Sequence, residues 1–118
     1  MSKSFGIGVD IVDIEQFKKI PLNTKPNFYK KIFLDSEIKY CLKYKNPYEH
    51  FAGKFAIKEA VKKAISDKIS LLDIETYHSK SKPMVRLKGN LDKKYTFHVS
   101  ISHEQNLAVG VVISQLIR

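Results

Sequence analysis

The 118-residue sequence predicts an α+β domain in which an antiparallel sheet packs with helices. One strand pattern lies near the N-terminus, helix-forming segments fill the middle, and alternating apolar and polar residues dominate the C-terminal third. Strands that are collected at the two ends of a chain, around a helical middle, are typical of α+β folds. The length fits a single domain over residues 1–118, and no linker or repeat divides it.

The N-terminal segment predicts a strand followed by a short helix. Residues 5–12 alternate between an apolar face and a face made of two glycines and Asp10. Asp13 is the predicted helix cap, with Gln16 three residues later as in a capping box. Pro21 then ends the helix soon after it has begun.

The middle of the chain predicts two short helices and one long helix. Pro26 and Asp35 begin the predicted short helices, over residues 26–33 and 35–44. An Asn-Pro turn precedes the long helix, which covers about residues 48–66 and is rich in good helix formers.

Four strands are predicted in the C-terminal part of the chain. They cover residues 72–77, 83–87, 95–102 and 107–113. The last two form a hairpin around residues 103–106, which completes the antiparallel sheet.

Composition excludes several classes of protein. No apolar run approaches the roughly 20 residues of a membrane span, and the short N-terminal apolar stretch is unlike a signal peptide. Cys41 is the single cysteine, which excludes an intrachain disulfide and favours a cytoplasmic location. The net charge of +9 indicates a polyanionic partner: nucleic acid, an acidic protein or a phosphate-rich small molecule.

Asp10 is the first candidate for chemistry. It shares a strand face with Gly6 and Gly8, which leave room for a ligand or another backbone to approach. The alternative explanation is that a helix packs there and Asp10 caps it.

The long helix carries the second candidate, Glu59. At 3.6 residues per turn, Lys54, Lys58 and Lys62 form one ridge, and Glu59 pairs with Lys63 at i, i+4 spacing. The rest of the helix is so apolar that it is expected to be largely buried, Glu59 in part with it. The alternative is an ordinary surface Glu–Lys pair.

Two carboxylates from different elements, surrounded by lysines, favour phosphate chemistry. Carboxylate oxygens suit Mg²⁺, which keeps several waters and also binds substrate phosphates. Asp10 and Glu59 with the helix lysines therefore fit phosphoryl or diphosphate transfer better than recognition of DNA bases.

The histidines give weaker signals. His103, at the predicted hairpin tip, either donates to a phosphate or is a plain surface residue. The serine that precedes His103 does not indicate a hydrolase, because no G-x-S-x-G elbow is present. His50, His78 and His98 lack the spacing of zinc ligands, so we interpret the first two as surface residues and the third as part of a sheet face.

Taken together, these segments resemble the holo-acyl-carrier-protein synthase family, the small phosphopantetheinyl transferases. Three blocks carry the resemblance in order along nearly the whole chain. They are residues 6–12 (GIGVDIV), residues 51–60 (FAGKFAIKEA) with Lys63, and the hairpin of residues 99–103 (VSISH) and 108–112 (AVGVV).

The resemblance implies a 4′-phosphopantetheinyl transferase-like fold and a Mg²⁺-dependent transfer of phosphopantetheine from coenzyme A to a serine of apo acyl carrier protein. It implies that Asp10 and Glu59 hold Mg²⁺ and that Lys63 stabilises the leaving phosphate. Lys54 would lie near coenzyme A and His103 near its nucleotide end. Glu59 is also our candidate for accepting the serine proton.

The resemblance further implies a homotrimer with active sites between subunits, which agrees with the small core of so short a chain. Lys18, Lys19 and Lys25 are expected to attract the acidic carrier. Two features depart from the family pattern. Residues 64–68 (AISDK) replace a Gly-Thr-Gly-like turn, and Gln16 stands where an arginine is common.

Two other functions compete with the transferase. The first is a non-catalytic basic module for RNA or DNA, in which tyrosines stand among lysines at positions 29, 40, 44 and 48. It leaves Asp10 and Glu59 unexplained, because carboxylates repel a phosphate backbone. The second is a degenerate transferase that serves only as a subunit.

Overall fold

The computed structural model describes residues 4–117. The elements run in the order β1 (Phe5–Asp13), α1 (Ile14–Lys18), α2 (Pro26–Lys30), α3 (Asp35–Leu42), α4 (Pro47–Ala64), β2 (Ile74–Ser79), β3 (Lys82–Leu87), β4 (Tyr95–Glu104) and β5 (Leu107–Leu116), with short 3₁₀ turns at Leu71–Asp73 and Gly89–Lys93. The α+β class is therefore confirmed. No helix in this part of the chain is long and apolar enough to cross a membrane.

The strands form two antiparallel sheets. The larger sheet has the order β1-β5-β4, and β2 pairs with β3 in a separate two-stranded sheet. Strand β5 lies in the centre of the larger sheet, with the N-terminal strand β1 on one side and β4 on the other. Consequently the N-terminal strand with Asp10 lies two strands away from His103.

Several boundaries differ from the predicted ones for local reasons. Residues 71–73 form a 3₁₀ turn closed by a hydrogen bond from Ser70 N to Asp73 Oδ2, so β2 begins two residues late. In the last hairpin Glu104 pairs with Leu107, so only two residues form the turn. His103 therefore lies in strand β4 and not in a loop, which corrects the prediction.

Helix α4 rests directly on the larger sheet through glycines. A Cβ atom on Gly8 would come within 1.9 Å of the carbonyl oxygen of Ala60, and one on Gly6 within 1.7 Å of that of Ala64. No side chain fits in so small a gap, so these glycines let the helix backbone touch the strand. The close approach predicted for the glycine face is confirmed, and the approaching group is a helix.

The opposite face of β1 is apolar and open. We call Phe5, Ile7, Val9 and Ile11 the outer face; their exposed fractions lie between 51% and 70%. Ile7 and Val9 pair across the ladder with Ile113 and Val111 of β5. The predicted alternation is confirmed, but the apolar side does not face the core of its own chain.

Candidate active site

Strand β1 and helix α4 bring Asp10 and Lys63 together. Lys63 Nζ lies 3.1 Å from Asp10 Oδ1 and donates to the carbonyl oxygen of Val9 at 3.0 Å. The Asp10 carboxylate is only 18% exposed, whereas the Lys63 side chain is 53% exposed. The lysine thus reaches from solvent over the strand and meets a half-buried carboxylate.

Glu59 lies on α4 next to Ala60, the residue that touches Gly8 of β1. Its Oε2 atom is 3.8 Å from Lys62 Nζ, and the side chain is 30% exposed. The predicted Glu59–Lys63 pair is therefore not formed, because Lys63 turns to Asp10 instead. Glu59 keeps a loose contact with Lys62 and remains accessible.

The donor set at this place suits a hard cation. Asp10 and Glu59 supply carboxylate oxygens from two elements that are in backbone contact. Among residues 4–117 no group of three or more metal-ligating side chains is found. A cation held here would take its other ligands from water and from a phosphate, which is the coordination that Mg²⁺ prefers.

A second feature is a cleft of about 220 Å³, which we call the histidine cleft. It brings together two residues predicted to bind coenzyme A, Lys54 of α4 and His103 of β4. The lining residues are Tyr40, Glu49, His50, Gly53, Lys54, His78, Pro83, Ile101 and His103.

Lys54 is a buried cation, with 3% of the residue exposed. Its Nζ donates to Thr76 Oγ1 at 3.0 Å and lies 4.6 Å from the ring centroid of Tyr40. No carboxylate of the described residues forms a salt bridge with it. Burial lowers the pKa of Lys54, so an anion in the cleft would stabilise the charged form.

Lys58 has a structural role that the sequence did not reveal. It is fully buried, with Nζ 2.7 Å from Glu37 Oε1, and it also donates to the carbonyl oxygens of Ile32 and Leu71. Glu37 accepts further bonds from Thr76, which links this pair to Lys54. Of the predicted lysine ridge, only Lys62 reaches solvent.

His78 is exposed, as predicted, whereas His50 is half-buried. Both line the histidine cleft and stack on tyrosines, which the sequence did not predict. His98 lies exposed on β4, as predicted. Tyr29, one of the tyrosines that favoured nucleic-acid binding, is fully buried and donates its hydroxyl to the carbonyl of Ile20 at 2.6 Å.

An apolar groove of about 430 Å³, the α1 groove, lies beside the first helix. Phe17, Ile20 and Phe28 form much of its wall, and Lys19 lies at its margin. Lys18 is exposed on the same helix. A partner that combines acidic and apolar side chains would fit this surface.

The structure thus combines an α+β fold, two carboxylates and a lysine on adjoining elements, and a separate cleft lined by a buried lysine and histidines, a set of groups that suits an enzyme acting on a diphosphate. Residues 6–112 match the 4′-phosphopantetheinyl transferase superfamily, and the chain belongs to this family. The resemblance noted in the sequence is thereby confirmed.

Individual relatives agree along nearly the full length. The holo-[acyl-carrier-protein] synthase of Thermodesulfovibrio yellowstonii is 41% identical over 111 residues, which cover 92% of this chain and 96% of the relative. The crystal structure of the Bacillus anthracis synthase in complex with coenzyme A (3′,5′-ADP) has a TM-score of 0.83 at 28% identity and covers 98% of this chain and 100% of that one. The Helicobacter pylori synthase in complex with coenzyme A has a TM-score of 0.77 at 34% identity, covering 92% and 98%.

Proposed function

We propose that this protein transfers the 4′-phosphopantetheine group of coenzyme A to a serine of apo acyl carrier protein and releases adenosine 3′,5′-bisphosphate. Relatives named holo-[acyl-carrier-protein] synthase support the reaction. The single observation that carries it in this chain is the meeting of Asp10 and Lys63, with Glu59 one turn away on α4. Carboxylates for a cation and a lysine for the leaving phosphate are thus available on adjoining elements.

The reaction needs positioning and charge stabilisation more than covalent help from the protein. The serine oxygen forms a bond to the phosphorus that carries pantetheine, and the bond from that phosphorus to the bridging oxygen breaks. Glu59 accepts the serine proton, and Lys63 stabilises the charge that develops on the departing bisphosphate. Asp10 and Glu59 would hold Mg²⁺, which would neutralise charge on the diphosphate.

The histidine cleft is the proposed place for the nucleotide end of coenzyme A. Lys54 and His103, the two residues expected there, line it together although they are 49 positions apart in the sequence. A buried lysine without a carboxylate partner in the described chain favours an anionic ligand.

The α1 groove is the proposed docking surface for the carrier. Lys18 at the end of α1, Lys19 directly after it and Lys25 supply positive charge for an acidic partner. The apolar wall beside them offers a place for an apolar side chain of that partner.

The outer face supports a homotrimer with active sites between subunits. Four large apolar side chains at 51–70% exposure on one strand form a patch of the kind that protein interfaces cover. Asp10 belongs to the same strand, so an interface on β1 would place the site close to a neighbouring subunit.

We also propose a cytoplasmic location. Cys41 is a buried free thiol, and coenzyme A is itself a thiol that a reducing compartment keeps reduced.

Mass spectrometry of the carrier tests the reaction. The protein is incubated with coenzyme A, Mg²⁺ and apo acyl carrier protein, and a parallel sample contains excess chelator. We expect the carrier to gain the mass of one phosphopantetheine group only where Mg²⁺ is free. A carrier of unchanged mass would contradict the proposed reaction, and retention of RNA by the same protein at physiological salt would favour the nucleic-acid module.

A further inference from the structure

The histidine cleft contains two titratable groups with no role in the transfer described above. His50 comes from α4 and His78 from β2, and they share the cleft with Lys54 and with His103 from β4. Three imidazoles and one ammonium group therefore surround one space of about 220 Å³.

Tyrosines hold the two imidazoles in place. The ring of Tyr44 stacks on His50 with centroids 3.8 Å apart, and that of Tyr40 stacks on His78 at 4.6 Å and 9°. Tyr44 donates its hydroxyl to the Tyr40 hydroxyl at 2.9 Å, and the Tyr40 oxygen is 3.4 Å from His78 Nε2. The histidines are thus positioned before any ligand arrives.

The charged side chains around the cleft are of both signs. Lys54 faces both histidines, and Lys43 lies 5.8 Å from the Tyr40 ring centroid. Glu49 Oε1 is 3.9 Å from His50 Nε2. Glu75 and Lys39 line a neighbouring cavity together with Tyr40 and His78.

This environment favours the neutral form of both histidines in the free protein. Burial lowers the pKa of His50, and His103 and Lys54 lower it further against the opposing effect of Glu49. Burial, Lys54 and His50 lower the pKa of His78. Both imidazoles are therefore mainly neutral at pH 7, since even the ordinary value of 6.5 lies below it.

A phosphate group reverses this balance, because an anion close to an imidazole favours its protonated form. We propose that His50 and His78 take up protons from solvent when a phosphate monoester enters the histidine cleft, so that coenzyme A binds more tightly as the pH falls from 8 to 6.5. This inference rests on the proposed function, which places the nucleotide end of coenzyme A in the cleft. It adds two specificity residues for the 3′-phosphate and a proton linkage.

Calorimetry on the intact protein tests the linkage with adenosine 3′,5′-bisphosphate as the probe. Titrations at pH 8.0 and 6.5, at constant ionic strength and in buffers of different protonation enthalpy, give affinity and proton uptake together. We expect net uptake of protons at pH 7 and about tenfold tighter binding at pH 6.5 than at pH 8.0, the effect of roughly one linked proton. Adenosine 5′-phosphate, which lacks the 3′-phosphate, should show neither effect.

Variants assign the protons to residues. The double variant His50→Gln, His78→Gln should bind the bisphosphate with less proton uptake and a flatter pH dependence. His98→Gln is the matched control, because this histidine is exposed on β4 and does not line the cleft.

The outcomes separate the two proposals. Failure of the bisphosphate to bind at any pH would overturn the proposed function. Binding without proton uptake, or uptake that is unchanged in the double variant, would overturn the proton linkage and leave the transfer reaction standing.

Discussion

Lys63 connects the two segments that the sequence singled out separately, strand β1 with Asp10 and helix α4 with Glu59. Its Nζ bonds to both the carboxylate of Asp10 and the carbonyl of Val9, so the end of α4 is tied to the middle of β1. The pairing leaves Glu59 with only a 3.8 Å contact to Lys62. A lysine held beside one carboxylate, with a second carboxylate left accessible, is preorganised for charge stabilisation rather than for stability alone.

Glu37 and Lys58 form a second ion pair of α4, which is fully buried, unlike the Lys63–Asp10 pair. Both side chains have 0% exposure and lie 2.7 Å apart. Lys58 precedes Glu59 in the sequence, so the pair fixes the rotation of α4 at the residue before this proposed active-site carboxylate. Every hydrogen-bonding atom of the pair has a partner within the described chain.

We predict that Glu37→Gln lowers the free energy of unfolding by about 3 kcal/mol, because it leaves Lys58 as a buried charge without a carboxylate. Urea unfolding measures the change. Glu75→Gln is the control, since the Glu75–Arg86 pair is more exposed and should contribute less than about 1 kcal/mol. Equal losses in the two variants would contradict the structural role of Glu37.

At the scale of elements, the β2–β3 hairpin contains a turn of unusual composition. Ser79 pairs with Lys82, so the turn consists of Lys80 and Ser81, with φ angles of 51° and 67°. Two-residue turns with positive φ at both positions favour asparagine and glycine, since other side chains crowd the backbone there.

We predict that Ser81→Gly raises the free energy of unfolding by about 1 kcal/mol by removing this crowding. Thermal or urea unfolding checks the value. Ser79→Gly is the matched control and should destabilise the protein, because Ser79 lies in strand β2 with extended backbone. A destabilised Ser81→Gly variant would show that the positive φ carries no strain.

Helix α1 with its groove leads to a prediction about the carrier. Lys18→Glu with Lys19→Glu should raise the KM for the carrier, because the new glutamates would repel the acidic groups of the carrier. Binding of coenzyme A should stay nearly unchanged. The wild-type KM should also rise with salt, since exposed charges are screened beyond roughly 8 Å at physiological ionic strength.

Steady-state kinetics with each substrate varied in turn measures both effects. Lys88→Glu with Lys93→Glu is the control for net charge, because these exposed lysines follow β3, away from α1 in the sequence. Loss of coenzyme A binding with an intact carrier KM would place the carrier on another surface.

The elements also show which features can be predicted from the sequence. The alternation of β1 and the partial burial of Glu59 follow from local periodicity, so both were predicted. A close approach to the glycine face was also predicted, but the local pattern did not show that helix α4 makes it. The partner of Lys58 and the surroundings of His50 and His78 were not predicted, because those contacts join segments far apart in the chain. Three lysines at i, i+4 spacing give the same pattern whether or not a neighbouring helix such as α3 buries two of them.

At the scale of the whole molecule, the described chain is elongated, with extents of 50 × 28 × 27 Å. Its outer face on β1 continues onto β5, where Ile113 is 39% exposed and Leu107 49%. An apolar surface on an edge strand is a liability for a monomer, which is why natural proteins cover such strands.

We predict a trimer in solution, with a mass about three times the 13.6 kDa of one chain. Ile7→Lys should shift the protein to monomers and lower activity, because a charged side chain at the interface loses its hydration. Light scattering measures the mass. Met84→Lys, at an apolar residue of β3 that is 36% exposed, is the control and should remain trimeric. A wild-type monomer with full activity would contradict the assembly.

Glu59 is proposed to act on the reacting groups, and the initial rate of carrier modification by Glu59→Gln shows whether it does. The substitution keeps the size of the side chain and suits a helix, so the melting temperature should stay close to that of the wild type. Lys62→Gln is the matched control, because it breaks the same 3.8 Å ion pair from the other side. We predict that Glu59→Gln lowers the rate about 100-fold or more, comparable to losing one preorganised electrostatic contact, while Lys62→Gln lowers it less than about tenfold. A Glu59→Gln protein with wild-type melting and wild-type rate would contradict the account.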